Sequence, residues 1–506
     1  MHICNYLTTS SDTFCVRRSN NCPDARIASQ ARKELEVAQQ MLENPTASGR
    51  TIRVQQNVVQ TLKSVLSSLR CLPPEILLEI AFYFKDEYPC HKTESPLWRF
   101  SRVCKKWRAV ALSSKQLWTT VIIDSYVMYS DYPLEGGAEN DILAEYLRRS
   151  GDAPLQIRAK FEGIYDVDIT IQRKLINILI SHSHRWKTLH FTASDYLWPE
   201  MRHIRGRIPI LECITCISLF ESELPSQERD KFFPIFSDAP MLQSVDVMMD
   251  EPIPFILPWN QLTHYRDNYD GLRSRRGLED QFFRGYERLR ECSILSRTPA
   301  MSTSQSLLPD LNSLVLASPA SLKTITAPAL QSLMLYYKKP RRAAETIVVN
   351  MNVISHFIYR SSCSLTVLVL SGNVNPEHDI KGDDLVPLLE ACPRLVQLHV
   401  YVVDLQAHFL QCLTLSPTSG VVPMLADLTL DASSLLAPNI GFLLSVLESR
   451  LRESTVLREV SVKGPSTVII PDDLLGRFIS LRQSGFRLHI GVQDMDDFNC
   501  ESLPAF

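Results

Sequence analysis

The sequence predicts a mixed α/β fold: an all-α segment at the N-terminal end, then an irregular solenoid with parallel strands lining one face and helices or loops the other. Before residue 121, apolar residues recur at helical spacing behind proline and serine start signals. Beyond about residue 180 one short apolar motif keeps returning. The chain of 506 residues also exceeds the range in which one core keeps growing, which calls for several domains or a repeat array.

Composition excludes some functions. With 53 basic against 56 acidic side chains, the net charge of -3 creates no field that draws the chain to nucleic acid or an anionic membrane. The opening MHICNYLTTSSDTF has no basic flank before an apolar core, and no uninterrupted run of about 18 apolar residues occurs, so neither a signal peptide nor a membrane span is predicted. A cytoplasmic or nuclear location is expected. Thirteen scattered cysteines argue for reduced thiols within a core and against a disulfide framework. Cys213 and Cys216 form a CxxC, but three residues apart on a strand they diverge to opposite faces, so no metal or other cofactor is expected. His182 and His184, at the end of an apolar helical run, read as a wet helix terminus.

The elements follow in order. Residues 1–26 are polar and unpatterned, and read as a disordered tail. Residues 27–70 carry two helical patterns separated by ENPTASGR, the first with Ile27, Ala31, Leu35 and Ala38, the second with Val54, Val58, Leu62 and Val65; a helical hairpin is expected, a self-associating coiled coil being the alternative. In LPPEILLEIAFYF, Pro73 and Pro74 suit a first helical turn, whose amide hydrogens have no intrahelical acceptor, and Glu75 complements the dipole there. Ile76, Ile80 and Phe84 repeat every fourth residue. Ser95 and Pro96 start a second helix through LWRFSRVCKKWRAVAL, and a third short one begins at Ser114 with Leu117 and Trp118. So small a module has more apolar surface than it can hide, which favours a permanent partner or docking against the rest of the chain.

LPPEILLEI followed by SPLWRFSRVCKKWRAVALSSKQLW resembles an F-box over residues 71–121. The resemblance implies a three-helix module that docks on a Skp-type adaptor through Leu72, Pro73, Ile76, Leu77, Ile80, Val103, Cys104, Trp107, Leu117 and Trp118. Some of these must instead hold the module together, and the sequence does not sort them. A departure from the family is the long polar loop from Lys85 to Glu94, which leaves the register of the first two helices open. The alternative is a three-helix cap sealing the following domain.

Residues 122–506 carry the returning motif: apolar, two others, apolar, one other, apolar. Its copies start at Leu242, Leu289, Leu311, Leu330, Leu365, Leu395, Leu425 and Leu457, with weaker ones at Trp186, Leu211 and Leu262. Amphipathic stretches such as DDLVPLLEACP and GFLLSVLESRLRES lead into them, giving the helix-and-strand alternation of leucine-rich repeats. Copies crowd around Leu311, Leu322 and Leu330, so one of these is expected to be a loop or decayed turn; between Val121 and about Lys174 the signal is weak, consistent with an atypical capping turn. The layout, with phrases such as DAPLQI and SHRWKTLHF, looks like the large F-box class of mushroom-type fungi.

A solenoid binds on its exposed strand face, where His190, Asp246, Arg266, Gln397, His399, Tyr401, Asp427 and Asp431 are the candidate target-binding residues. The basic clusters Arg273–Arg276 and Tyr336–Arg342 read as wet loops in a slightly acidic chain, which argues against nucleic-acid binding. No phosphate-cradling loop, nucleophile elbow or HExxH occurs, so no catalytic residues are assigned. The resemblance implies a non-catalytic substrate receptor of an SCF-type ubiquitin ligase, bound to a Skp-type adaptor and through it to a cullin. Alternatives are an adaptor-bound scaffold without a cullin, or a plain leucine-rich-repeat interaction protein with a helical cap.

Overall fold

The computed structural model describes residues 22–42, 49–84, 88–90, 95–124, 138–161, 169–194, 197–219, 234–249, 255–269, 286–295, 305–317, 319–337, 351–372, 380–404, 406–416, 420–434, 437–453, 456–464, 470–483 and 487–492. The chain divides into two compact units, Met1–Ala193 and Ser194–Phe506.

The first unit begins with the helix pair α1 (Ala25–Leu42) and α2 (Gly49–Val65). The Asp24 carboxylate accepts the Ile27 N–H at 2.8 Å and so caps α1. Ala31, Leu62 and Val65 form the core of the pair, with Ile27, Leu35, Val58 and Leu66 against it. Next come α3 (Pro74–Tyr83), α4 (Pro96–Val103) and α5 (Lys105–Ser113), then a 3-10 turn over Lys115–Trp118. The single helix expected from Ser95 onward is therefore two: Cys104 is extended, with φ −163° and ψ 175°, and breaks it. The apolar stripe runs through because both halves face the same interior.

Three parallel strands complete this unit: β1 (Thr120–Asp124), β2 (Leu155–Phe161) and β3 (Trp186–Ser194), joined through α6 (Ala138–Ser150) and α7 (Ile169–Ser181). Residues 155–161 alternate strictly between buried and exposed, a regular coil where a weak one was expected. Its pattern, LQIRAKF, alternates without the motif's double spacer, which is why the repeat template passed over it.

The second unit begins with the short helix α8 (Trp198–Met201) and contains the parallel run β4 (Cys213–Leu219), β5 (Ser244–Met249), β6 (His264–Tyr269), β7 (Glu291–Ile294), β9 (Ser313–Leu316), β11 (Ser332–Tyr337), β12 (Val367–Gly372), β14 (Gln397–Asp404), β15 (Asp427–Ser434), β16 (Glu459–Gly464) and β17 (Arg487–Val492). Off this path, β8 (Ser306–Leu307) pairs with β10 (Ile325–Thr326), and β13 (Ile380–Lys381) with β14. Helices α9 (Met351–Ser361), α10 (Gly382–Glu390), α11 (Ala407–Cys412), α12 (Ala437–Glu453) and α13 (Asp472–Gln483) return the chain between the later strands.

The motif's first leucine, at 211, 242, 262, 289, 311, 330, 365, 395, 425 and 457, is buried in every coil. The carbonyl of the residue after it accepts two successive N–H groups from the next coil: Gln331 O, for example, takes those of Thr366 and Val367 at 2.8 and 3.0 Å. This spine fixes the parallel register, since one residue of slip would turn each buried row outward. Leu311 and Leu330 both open onto true strands that pair directly, whereas Leu322 lies in a 3-10 turn over Pro319–Lys323. The chain between those strands is too short for a helix, so the tighter turn replaces it. Arginines tie coils together: in the first unit the buried Arg185 donates to Ala153 O, and in the second the half-buried Arg360 donates to Ile325 O and the buried Arg450 to Leu413, Val421 and Val422 O. Burial lowers the Arg450 pKa to about 10. Its bond to Val422 O holds a β-branched residue at φ 47°, a conformation that needs such support.

Candidate functional site

Two surfaces bear on function, one in each unit. In the first, Pro73 and Pro74 start α3 as expected, Pro74 within the first turn and Glu75 behind it. Leu77 and Ala81, one turn apart, are the residues α3 buries. Ile76 and Tyr83 are exposed at 46% and 81%, and Ile80 is half-buried. On α4, Leu97, Trp98, Phe100 and Ser101 go inside while Val103 is 58% exposed. On α5, Val110 and Ala111 are buried and Trp107 is half-covered, its ring tilted on Phe100 at 4.6 Å.

The interior is an aromatic box. Trp118 is fully buried, donates Nε1–H to Ala111 O at 2.8 Å, and meets Trp98 and Tyr146 edge-on at 5.3 and 5.1 Å. Arg149 of α6 lies 4.4 and 4.5 Å from the two tryptophan rings, and Tyr146 donates its hydroxyl proton to Thr120 O. This box welds the short helices to the coil that follows. Glu145 accepts from Arg148 and Arg149, whose hydrogen bonds outweigh desolvation and hold its carboxyl down at about 2.

The structure thus sorts the ten residues expected on the docking side. Leu77, Leu117 and Trp118 have no free surface and serve the module's own core. Pro73, Ile76 and Val103 are exposed, and Leu72, Ile80, Cys104 and Trp107 half-exposed. Sequence reasoning missed Trp98, whose signal was its place inside the first turn after Ser95-Pro96.

The lead into this surface is held from both sides. Lys106 of α5 donates to the carbonyls of Arg70 and Leu72, the latter at 2.6 Å, and the Arg70 guanidinium bonds the Ser64 backbone at the end of α2. Cys71, next to Leu72, forms a disulfide with Cys22, closing a span of 49 residues. This corrects the expectation of reduced thiols: folding of the helix pair brings the two Cα atoms to 4.8 Å. Cys90, Cys216, Cys292, Cys363 and Cys392 are indeed buried small side chains, and burial pushes the Cys90 thiol up to about 12.

In the second unit the strand residues facing away from the leucine core form in-register rows. One runs Thr215, Asp246, Arg266, Ser293, Val315, Met334, Val369, His399, Thr429, Ser461, His489. Cys213 is on this open side and Cys216 is in the core. Asp246, Arg266, Gln397, His399, Tyr401 and Asp427 lie half-exposed on it, with His399 Nε2 3.4 Å from Asp427. His190 belongs to the first unit, beside Arg158 in register; burial first, then that cation, lowers its pKa. Asp431 is a correction: flanked in register by Tyr401 and Lys463 within the sheet, it is buried. The basic stretches 273–276 and 338–342 lie outside the described residues, and Tyr336 and Tyr337 close β11.

An apolar centre on this face escaped the sequence reading. Val315, Met334 and Val369, each between the last two leucines of its motif copy, cluster with Leu295, and Tyr336, Val367 and Tyr401 pack against them. The signal was an apolar fifth position in three successive copies, LNSLVL, LQSLML and LTVLVL. Among the described residues no group of histidine, cysteine, aspartate and glutamate is arranged to hold a metal ion, and no helix is long and apolar enough to cross a membrane.

Comparison with known families matches residues 69–124 to the F-box-like model. Among solved structures, the leucine-rich repeat-containing protein LegL7 from Legionella pneumophila is similar at 14% identity over 72% of this chain and 96% of its own, with a TM-score of 0.30. No curated protein matches. Together the matched segment and the coils define an F-box-like module followed by a leucine-rich-repeat-like solenoid. Families of both kinds are typically non-catalytic interaction modules, and F-box domains generally bind Skp-type adaptors.

Proposed function

We propose that this chain is the substrate-recognition subunit of an SCF-type ubiquitin ligase. The carrying observation is that the F-box-like helices fill their own interior with Leu77, Leu117 and Trp118 yet leave Ile76 and Val103 largely in water. Each large apolar side chain moved from water into a packed site contributes about 1.5–3 kcal/mol, so a partner covering Pro73, Ile76, Ile80, Val103 and Trp107 is strongly favoured. The occupant is a Skp-type adaptor, bridging to a cullin in the cytoplasm or nucleus. The solenoid's open face holds a target protein where a ubiquitin-charged enzyme reaches its lysines. The chain's contribution is proximity, with covalent chemistry on other subunits. The fungal F-box class suggested by DAPLQI and SHRWKTLHF belongs to the same proposal.

Affinity purification of the full chain with mass spectrometry tests it. Adaptor and cullin together are the expected result. Adaptor without cullin replaces the ligase by a scaffold, and recovery of neither overturns both in favour of a helical cap on an interaction solenoid.

A further inference from the structure

The open face of the second unit is graded, not uniform. Passing from β5 to β11, the outward side chains that differ from serine are Asp246, then His264 and Arg266, then Glu291, then Val315, then Met334, with Ser244, Ser293 and Ser313 between them. These residues line one depression of about 230 Å³. His264 and Glu291 are paired within it at 3.6 Å.

Asp246 is different. Its Oδ1 is buried without a hydrogen-bond partner, and burial raises its pKa in spite of Arg266 one strand away, with Asp267 adding to the rise. A desolvated acceptor with no donor gains from a guest that supplies one. Counting Arg266, His264, Glu291 and the buried Asp267, the acidic groups match or outnumber the basic ones whether or not His264 is charged. The missing partner is therefore a donor with positive charge. Beyond Glu291 the wall turns apolar at Val315 and Met334.

Building on the target-binding reading of the solenoid, we propose that this depression receives a lysine or arginine of an extended target segment at Asp246, with an apolar side chain of the same segment seated on Val315 and Met334. Strands lie about 4.8 Å apart, so the three steps from β5 to β9 cover roughly 14 Å, and an extended chain at about 3.4 Å per residue spans that in four to five residues. Arg266, between the two subsites, donates to a carbonyl of the passing backbone.

The test uses the full-length protein and synthetic peptide arrays in a glycine–serine host, with one arginine and one leucine at separations of two to eight residues. Strongest retention is expected at four to five, about tenfold above peptides lacking either residue. Asp246→Asn should erase the arginine dependence, Asp246→Lys should shift retention to peptides with glutamate in place of arginine, and Val315→Ser should erase only the leucine dependence. Retention independent of the basic residue, or an unshifted preference in Asp246→Lys, overturns the proposal; so does preferential retention of homopolymeric RNA. Urea unfolding of the same variants confirms folding of the solenoid, and adaptor capture, read on the first unit, separates the outcomes. A failed adaptor assay with the peptide rule intact sinks the ligase reading alone, and the reverse sinks this inference alone.

Discussion

The F-box-like helices and the solenoid coils meet the same difficulty, an apolar face too large for one small unit, and meet it differently. In the coils the next copy covers each buried row: Leu333 and Leu335 in β11 lie in register with Leu314 and Leu316 on one side and Leu368 and Leu370 on the other, all buried. In the helices Leu77 and Ala81 are covered but Ile76 and Val103 are not. A repeat hides its surplus in itself, whereas the three-helix module leaves part of its own in water.

The sharpest way to break this comparison is to remove its internal half. Trp118→Ala should cost about 3–5 kcal/mol of the first unit's stability, because it empties the site between Trp98 and Tyr146; urea unfolding followed by tryptophan fluorescence reads it. If the cost were near zero, the helices would not be welded to the coil behind them. Reducing the Cys22–Cys71 bond should destabilise the helix pair by about 2–4 kcal/mol, seen as faster hydrogen exchange in α1 and α2, while the solenoid coils keep their protection. Ile76→Ala should leave unfolding within about 0.5 kcal/mol of the parent yet weaken adaptor binding by about 1.5 kcal/mol, roughly tenfold, measured by calorimetry. The opposite pattern would make Ile76 a core residue and end the contrast. The smallest effect concerns Glu145, whose folded pKa of about 2 lies below the ordinary 4.5 because Arg148 and Arg149 bond its charged form. Its stabilisation is complete above about pH 4.5 and disappears as pH falls toward 2. Partial exposure and solvent screening hold it to about 1 kcal/mol or less, so Glu145→Gln should differ slightly from the parent at pH 7 and not at all near pH 2.

Legibility in the sequence followed local rules. Pro73, Pro74 and Ser95-Pro96 announced helix starts because within a helix proline's missing amide hydrogen costs least in the first turn. The leading leucines announced strands because each coil needs the same buried spike. Cys104 was read through as helix because the apolar stripe continues past it, and an extended residue leaves no trace in periodicity. Arg450 lies in the amphipathic stretch GFLLSVLESRLRES, whose periodicity does not mark it for the interior; it is buried because its guanidinium finds three backbone carbonyls in the turn below. The strands at 155–161 and 487–492 lack the motif's spacing, so the first was read only as part of a weak capping turn and the second went unseen.

The order of modules, the helix starts, the coil rhythm and the set of apolar residues that the short helices divide between core and surface were determined by sequence alone, since each rests on residue type at short spacing. Which of Leu77, Ile76, Leu117 and Val103 faces inward, how Cys22 comes to meet Cys71, and where the open strand face turns from charged at Asp246 to apolar at Val315 were decided only by tertiary structure. Those are contacts between segments far apart in the chain, and their energies depend on what each side chain meets after folding.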